Sequence, residues 1–301
     1  MTLNRLVVSS IDGGLVDPLT RDYDPARPAI AALATVGVPL VLCSSRPRAE
    51  VELVSRLFGL GAPVIVENGA ALIVPDGHLP HGVPGGRRDG EHHVLLLGPP
   101  RQRLREALAE VAAAARVEVR LVADLPPGDR AASGGPAGFL ARTSLHYEYT
   151  DPFLVEREED AVALAREADA RGLRVARGER FFYLFGGADK GLALRTLLSL
   201  YEREGERPRT VALGTWPVDL PMLQAAHRPI VLPGPAGCVE PQLAAGLPHA
   251  ERATRGGPEG WNDAVLAVLT GRRLPAVSAD DGRGGREAQA VERELRLAAR
   301  G

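Results

Sequence analysis

The sequence predicts an α/β fold: a doubly wound parallel-sheet core with a smaller α+β domain inserted into it. Three observations carry this reading. Short apolar runs alternate with amphipathic helical segments over roughly the first 80 residues, the order that builds a parallel sheet with right-handed crossovers. The pattern then changes to a mixed α+β unit and resumes near residue 187. The chain has 301 residues with 45% hydrophobic content, enough for one large or two small domains with a sizeable core.

In order, Arg5 to Ile11 reads as a first buried strand. Asp24 reads as a helix cap with Pro25 at the first position, and Gly37 as the stop. Pro39 to Cys43 is a second strand, Arg48 to Phe58 a helix, Pro63 to Val66 a third strand and Ala71 to Val74 a fourth. Pro75 to His93, rich in Gly, Pro and charge, reads as a linker. Within the inserted domain, Leu104 to Ala115 and Asp160 to Arg171 are helical in period. Val117 to Val122 reads as a strand, and Leu173 to Ala176 with Phe181 to Phe185 as paired strands. Pro126 to Gly138 reads as a loop. The core resumes with a helix from Lys190 to Tyr201, strands at Thr210 to Leu213 and Pro229 to Leu232, and a helix from Trp261 to Leu269. The divisions are 1–85 and 187–271 for the core, 86–186 for the insert and 272–301 for a charged, disordered tail, with an exposed helix at Arg286 to Ala299.

Composition excludes several classes. A formal net charge of -2 gives no basic footprint, so nucleic acid is not an expected partner. Cys43 and Cys238 are too few for a disulfide framework and fit a reducing cytoplasm. No apolar run reaches membrane-span length, and the N-terminus lacks the features of a signal peptide. There is no Gly-x-Ser-x-Gly elbow, no dinucleotide-type glycine motif after the first strand and no metal-ligand spacing among the seven His residues.

Four constellations fall at predicted strand ends, where open parallel sheets gather ligands. Ser10-Ile11-Asp12-Gly13-Gly14 runs a strand into a glycine turn. There Gly13 could turn backbone N–H groups on an anion, and Asp12 could act as an acid or base; a plain turn carrying a turn-favouring Asp is the bland alternative. Cys43-Ser44-Ser45-Arg46 presents hydroxyls suited to phosphate oxygens, or a helix N-cap before Pro47. Lys190 follows a glycine pair at a helix start and is the single lysine among 36 Lys and Arg residues. A compact ammonium at a helix N-terminus suits an anion. Gly214-Thr215-Trp216-Pro217-Val218-Asp219 offers Asp219 as a pocket carboxylate or as a first-turn acid. Glu67-Asn68-Gly69 is a turn signal, and Gly256 to Gly260 reads as a helix entry that puts Trp261 in the core.

In this order the constellations resemble the haloacid dehalogenase-like superfamily and, within it, the mannosyl-3-phosphoglycerate phosphatase family. The resemblance covers roughly residues 5 to 270. Its carriers are Asp12-Gly13, Pro39 to Glu52, Ile65 to Ala70, Arg180-Phe181, Gly187 to Gly191, Asp219 to Leu223 and Gly257 to Asn262. It implies a haloacid dehalogenase-like core whose insert is a cap that reads the sugar and glycerate. It also implies Mg²⁺ and an aspartyl-phosphate route. An Asp at the first strand end attacks the phosphoryl group, and a second Asp, two residues on, exchanges protons. A Ser or Thr and a Lys hold the phosphoryl oxygens. On that pattern Asp12 takes the acid/base position, Ser44, Lys190 and Gly13 the phosphate contacts, and Asp219 a metal contact. Arg46, Glu67, Asn68 and Arg180 fall to the substrate and cap side.

The sequence departs from the pattern at the chemistry. Ser10 stands at the nucleophile position, Gly14 replaces a Thr, Thr215 replaces the metal-binding Asp and Val218 an Asn. In the cap, Tyr147 stands where the family has Arg and Tyr183 where His is usual. A neutral hydroxyl at position 10 is a poor replacement for a carboxylate as nucleophile or metal ligand. Two lost negative charges match the two positive charges of a lost Mg²⁺, so an anion could still bind. Three functional readings stay open: a binding module for a phosphorylated sugar or sugar acid that has become a pseudoenzyme, an active phosphatase using a non-aspartyl route, and a decayed paralogue or protein-interaction module. The tail is the segment offered to a protein partner.

Overall fold

The computed structural model describes residues 3–17, 20–126, 146–179, 181–278 and 281. In chain order the strands are β1 (Arg5–Ser9), β2 (Leu40–Cys43), β3 (Val64–Val66), β4 (Ala71–Pro75), β5 (Arg87–Asp89), β6 (His92–Leu96), β7 (Arg120–Leu121), β8 (Phe153–Leu154), β9 (Arg174–Arg177), β10 (Phe182–Phe185), β11 (Arg209–Gly214), β12 (Arg228–Val231) and β13 (Glu251–Arg252). The helices are α1 (Arg27–Thr35), α2 (Arg48–Leu57), α3 (Arg101–Ala115), α4 (Glu158–Asp169), α5 (Lys190–Arg203), α6 (Leu220–Ala225), α7 (Pro241–Gly246) and α8 (Gly257–Leu269). The chain divides into two compact units, 1–41 with 205–301 and 42–204, and the division falls inside β2.

The first unit is built on β1, β11, β12 and β13, in which each neighbouring pair is parallel. Leu6, Val7, Val8, Ala212, Leu213, Ile230 and Val231 are fully buried, the continuous apolar runs expected of strands covered on both faces. Helices α1 and α8 pack together. Asn262 Oδ1 accepts from the Ala29 N–H at 2.9 Å, satisfying a first-turn amide that α1 cannot pair internally. Trp261 is fully buried, as its place at a helix entry predicts. Its Nε1 donates to Ser9 Oγ at 2.8 Å, tying α8 to the end of β1. Asp24 does not cap α1: Asp24–Ala26 forms a separate 3-10 turn without a side-chain cap. The Asp24 carboxylate instead accepts from Arg27 Nε at 2.7 Å.

In the second unit β3 runs parallel to β2, but β4, β6 and β5 follow antiparallel. The expectation of parallel crossovers therefore stops at β3. Residues 67–70 alone join β3 to β4, and a parallel connection needs a dozen or more residues. The stretch read as a linker contains β5 and the start of β6, a hairpin that extends this sheet. A separate antiparallel sheet, in the order β7-β8-β10-β9, carries α3 and α4. Leu108, Val111, Ala112, Phe153, Leu164, Ala168 and Leu184 form their common core. This is the predicted α+β unit, with β9 and β10 paired as expected. The strand read at 117–122 shortens to Arg120–Leu121 and turns into a 3-10 segment. The helix after Ser44-Ser45 is capped by neither hydroxyl, since Pro47 is the N-cap residue and no side chain bonds there. Most of the loop read at 126–138 and the helix read at 286–299 lie outside the described residues.

Candidate functional site

Each unit carries one group of the singled-out residues. In the first, β1 pairs with β11 so that Ser9 lies opposite Leu213. The Ser10 N–H donates to the Leu213 carbonyl at 3.0 Å, which carries the pairing one residue further. Ser10, Asp12, Thr215 and Asp219 are all buried. The parallel pairing thus brings together residues some 205 positions apart, because adjacent parallel strands end on the same edge.

The turn after β1 closes on itself. The Gly13 N–H donates to the Val16 carbonyl at 3.1 Å. The Gly13 amide, expected from the sequence to face a phosphate, has this carbonyl as its acceptor. Gly13 is required for another reason. Its φ is +81°, and a Cβ there would lie 2.9 Å from Thr215 Cγ2, so a side chain would meet both backbone strain and a clash.

Thr215 is fully buried, and its Oγ1 has no hydrogen-bond partner. The Asp219 carboxylate folds back over the turn: Oδ2 accepts from the Thr215 N–H at 2.9 Å and the Trp216 N–H at 3.0 Å. Gly214 leaves room for this, since a Cβ there would sit 2.6 Å from Asp219 Cβ. Trp216 Nε1 donates to the Asp12 carbonyl at 3.2 Å. The Asp12 carboxylate faces Arg21, with Oδ1 3.5 Å from Nη1. Arg21 is a partner that the sequence reading missed. It holds φ 64°, a conformation costly for a side chain of this size.

Mg²⁺ asks for near-octahedral hard oxygen ligands, with carboxylates at their centre. Here Ser10 and Thr215 supply neutral hydroxyls, Asp12 is paired with a guanidinium, and one Asp219 oxygen holds two backbone amides. The donor set does not fit the metal, and one oxygen of the Asp219 carboxylate closes the turn.

The second unit gathers Ser44, Arg46, Glu67, Asn68 and Lys190, all buried. Ser44 sits just past β2, with its N–H on the Ile65 carbonyl at 2.9 Å and its carbonyl receiving the Asn68 N–H at 2.9 Å. Its Oγ accepts from the Arg46 N–H at 3.1 Å. Arg46 Nη1 lies 3.0 Å from Glu50 Oε2, one helical turn on. Glu67 is fully buried and accepts four hydrogen bonds. Oε1 takes the Glu148 N–H at 2.7 Å, and Oε2 takes the Tyr149 N–H at 2.9 Å, the Thr150 N–H at 2.7 Å and the Thr150 hydroxyl at 2.9 Å. Burial outweighs these donors and raises the Glu67 carboxyl to about 7. Burial likewise pushes the Tyr147 phenol well above its usual range. Asp151 takes Arg101 and Arg105, pinning the same segment to α3. The sequence held no signal for Asp151 in this role.

Asn68 and Gly69 take left-handed conformations, φ 60° and 91°. Gly69 abuts the start of α5: a Cβ on it would lie 2.3 Å from the Asp189 carbonyl oxygen and 2.8 Å from the Lys190 nitrogen. Asp189 caps α5, with its side chain accepting from the Leu192 N–H at 2.8 Å. Lys190 is therefore the first residue of a 14-residue helix and is buried to 1% exposure. Arg180 lies outside the described residues.

The chain is 30% identical over 268 residues to a glucosyl-3-phosphoglycerate/mannosyl-3-phosphoglycerate phosphatase of Methanococcoides burtonii, covering 89% of this chain and 98% of that protein. It belongs to the mannosyl-3-phosphoglycerate phosphatase family. A Persephonella marina protein of the same name is 30% identical, over 88% of this chain and 97% of its own length. A sugar phosphatase of haloacid dehalogenase subclass IIB superposes with a TM-score of 0.59 at 16% identity, covering 89% of this chain and 98% of its own. That likeness establishes the haloacid dehalogenase-like fold that the motifs imply. No family model matches the chain. Membership points to phosphatase relatives. Among the described residues, no helix is long and apolar enough to cross a membrane.

Proposed function

We propose that this family member binds a phosphorylated sugar or sugar acid without Mg²⁺ and has lost hydrolysis by the aspartyl-phosphate route. The observation that carries the reading is the state of the turn between Gly214 and Asp219. Thr215 fills the space over Gly13, and the Asp219 carboxylate is committed to two backbone amides. With Ser10 at the end of β1, no carboxylate remains at the nucleophile position. The anion-binding residues are retained in the second unit. Ser44 and Lys190 are buried, and the α5 N-terminus favours negative charge. The α+β unit of α3, α4 and β7–β10 serves as the cap, and the protein acts in the cytoplasm. Asp12, paired with Arg21, keeps the acid/base position without a nucleophile to serve.

The test is a thermal-shift and phosphate-release experiment with glucosyl-3-phosphoglycerate and mannosyl-3-phosphoglycerate, with and without Mg²⁺. Expected is a metal-independent rise in Tm, since a ligand of the folded state raises stability, with no phosphate released. Metal-dependent release would establish the alternative of an active phosphatase. No shift with either compound would favour decay.

A further inference from the structure

Past α8 the chain turns back along the sheet of the first unit. Gly271 takes φ 74°, and a Cβ built on it meets nothing within 4 Å. The Arg272 N–H then closes the helix end on the Ala267 carbonyl at 2.8 Å. The next residues run beside β13, the outermost strand of the order β13-β12-β11-β1. Glu251 bridges antiparallel to Ala276. The Arg252 N–H donates to the Pro275 carbonyl at 2.7 Å, and the Val277 N–H to the Ala250 carbonyl at 2.8 Å. These are the backbone groups that an edge strand otherwise leaves open to another chain.

Side chains fix the register. Buried Glu251 accepts from Arg228 on β12, through Nε at 2.9 Å and Nη2 at 2.7 Å. It also accepts from Arg273 Nη1 and the Leu274 N–H, both at 2.8 Å. Arg252 Nη1 lies 3.2 Å from Asp281 Oδ1. The edge thus presents a carboxylate and then a guanidinium, and the added strand meets each with the opposite charge. Two bare edges paired symmetrically about this position would instead set Glu251 opposite Glu251, a like-charge pair. Little else holds the strand. Val277 is buried, while Arg272, Arg273, Pro275, Ala276 and Ser278 are exposed. A segment with so few buried contacts opens before the rest of a domain.

We propose that residues 272–278 form a detachable edge strand, and that the face they cover on β13 is an interaction surface for the same strand of a second copy. Exchange between two molecules repeats the contacts above in trans and closes as a two-fold dimer. Gly271 is the hinge. Folded back in its left-handed turn, it seats the strand on its own β13; extended, it delivers the strand to a neighbour.

Hydrogen exchange on the full wild-type chain tests detachment. The Arg252 and Val277 amides should exchange together, at least about a hundredfold faster than those of β11. Exchange in step with β11 would overturn the proposal. Sedimentation of full-length variants tests the partner. Proline cannot adopt φ 74°, so Gly271→Pro extends the hinge. This variant should dimerise with a dissociation constant at least about tenfold below that of the wild type. Adding Val277→Asp should return it to monomer, because the strand loses its buried seat in both copies. A monomeric Gly271→Pro protein, or a dimer that survives Val277→Asp, would show that β13 does not take the strand of a second copy.

Discussion

At Glu67, burial favours the neutral acid while donors from Glu148, Tyr149 and Thr150 favour the carboxylate, and burial wins, raising the group to about 7. The folded protein therefore holds this proton more tightly than the unfolded chain, whose carboxyl titrates near 4.5. The resulting contribution is fully present below about 4.5 and is lost as pH rises through about 7, amounting to about 3 kcal/mol. In urea titrations from about pH 5 to about pH 8, the wild type should lose stability relative to Glu67→Gln by about that amount. Parallel curves would show that Glu67 does not titrate in this range. Arg21 offers a second residue-scale test. Its pair with Asp12 is mostly buried, and removing one partner of such a pair is costly. Arg21→Gln should lower unfolding free energy by about 2 kcal/mol in chemical denaturation, and Arg21→Lys by less. Arg21 was not legible in the sequence because it sits among Asp17, Asp22 and Asp24 and reads as a solvated charge. The role of Glu67 was hidden for a different reason: its donors lie more than eighty residues along the chain.

The turn 67–70 is where element geometry decides most. It reverses β3 into β4 and lays Gly69 against the start of α5. Gly69→Ala combines φ 91° with a contact of 2.3 Å to backbone and should cost about 3 kcal/mol or more. Gly37→Ala, at φ 66° with nothing within 4 Å, should cost about 1 kcal/mol. Thermal denaturation of the two variants separates crowding from conformational strain; equal losses would mean that Gly69 has room to move. Strand and helix types were legible from apolar periodicity, which reports burial on one face or two. Pairing direction is not encoded in that pattern, so the strand at 71–74 was legible but its antiparallel direction was not, although the four residues after Val66 already forbade a crossover; the β5–β6 hairpin was hidden by a composition that reads as a linker.

For the whole molecule, the substitutions at positions 10, 215 and 218 act together. Ser10→Asp, Thr215→Asp and Val218→Asn in one chain should create Mg²⁺ binding measurable by calorimetry, and the wild type should show none. Heat exchange as weak as the wild type's would mean that the amides holding Asp219 keep the turn closed to a metal. The family was legible because its motifs are local and ordered along the chain. The ligand was less so, since Tyr147 and Tyr183 depart from the family pattern and Arg180 lies outside the described residues.

Lys190 is the only lysine in the chain and is buried to 1% exposure. Apart from the α-amino group, the folded protein therefore offers almost no primary amine to an acylating reagent. Modification of that single side chain counts openings of the α5 N-terminus, one molecule at a time, in an ordinary mass spectrum. Protection by added phosphate would convert the same measurement into a binding curve, without a label, an assay substrate or a catalytic turnover.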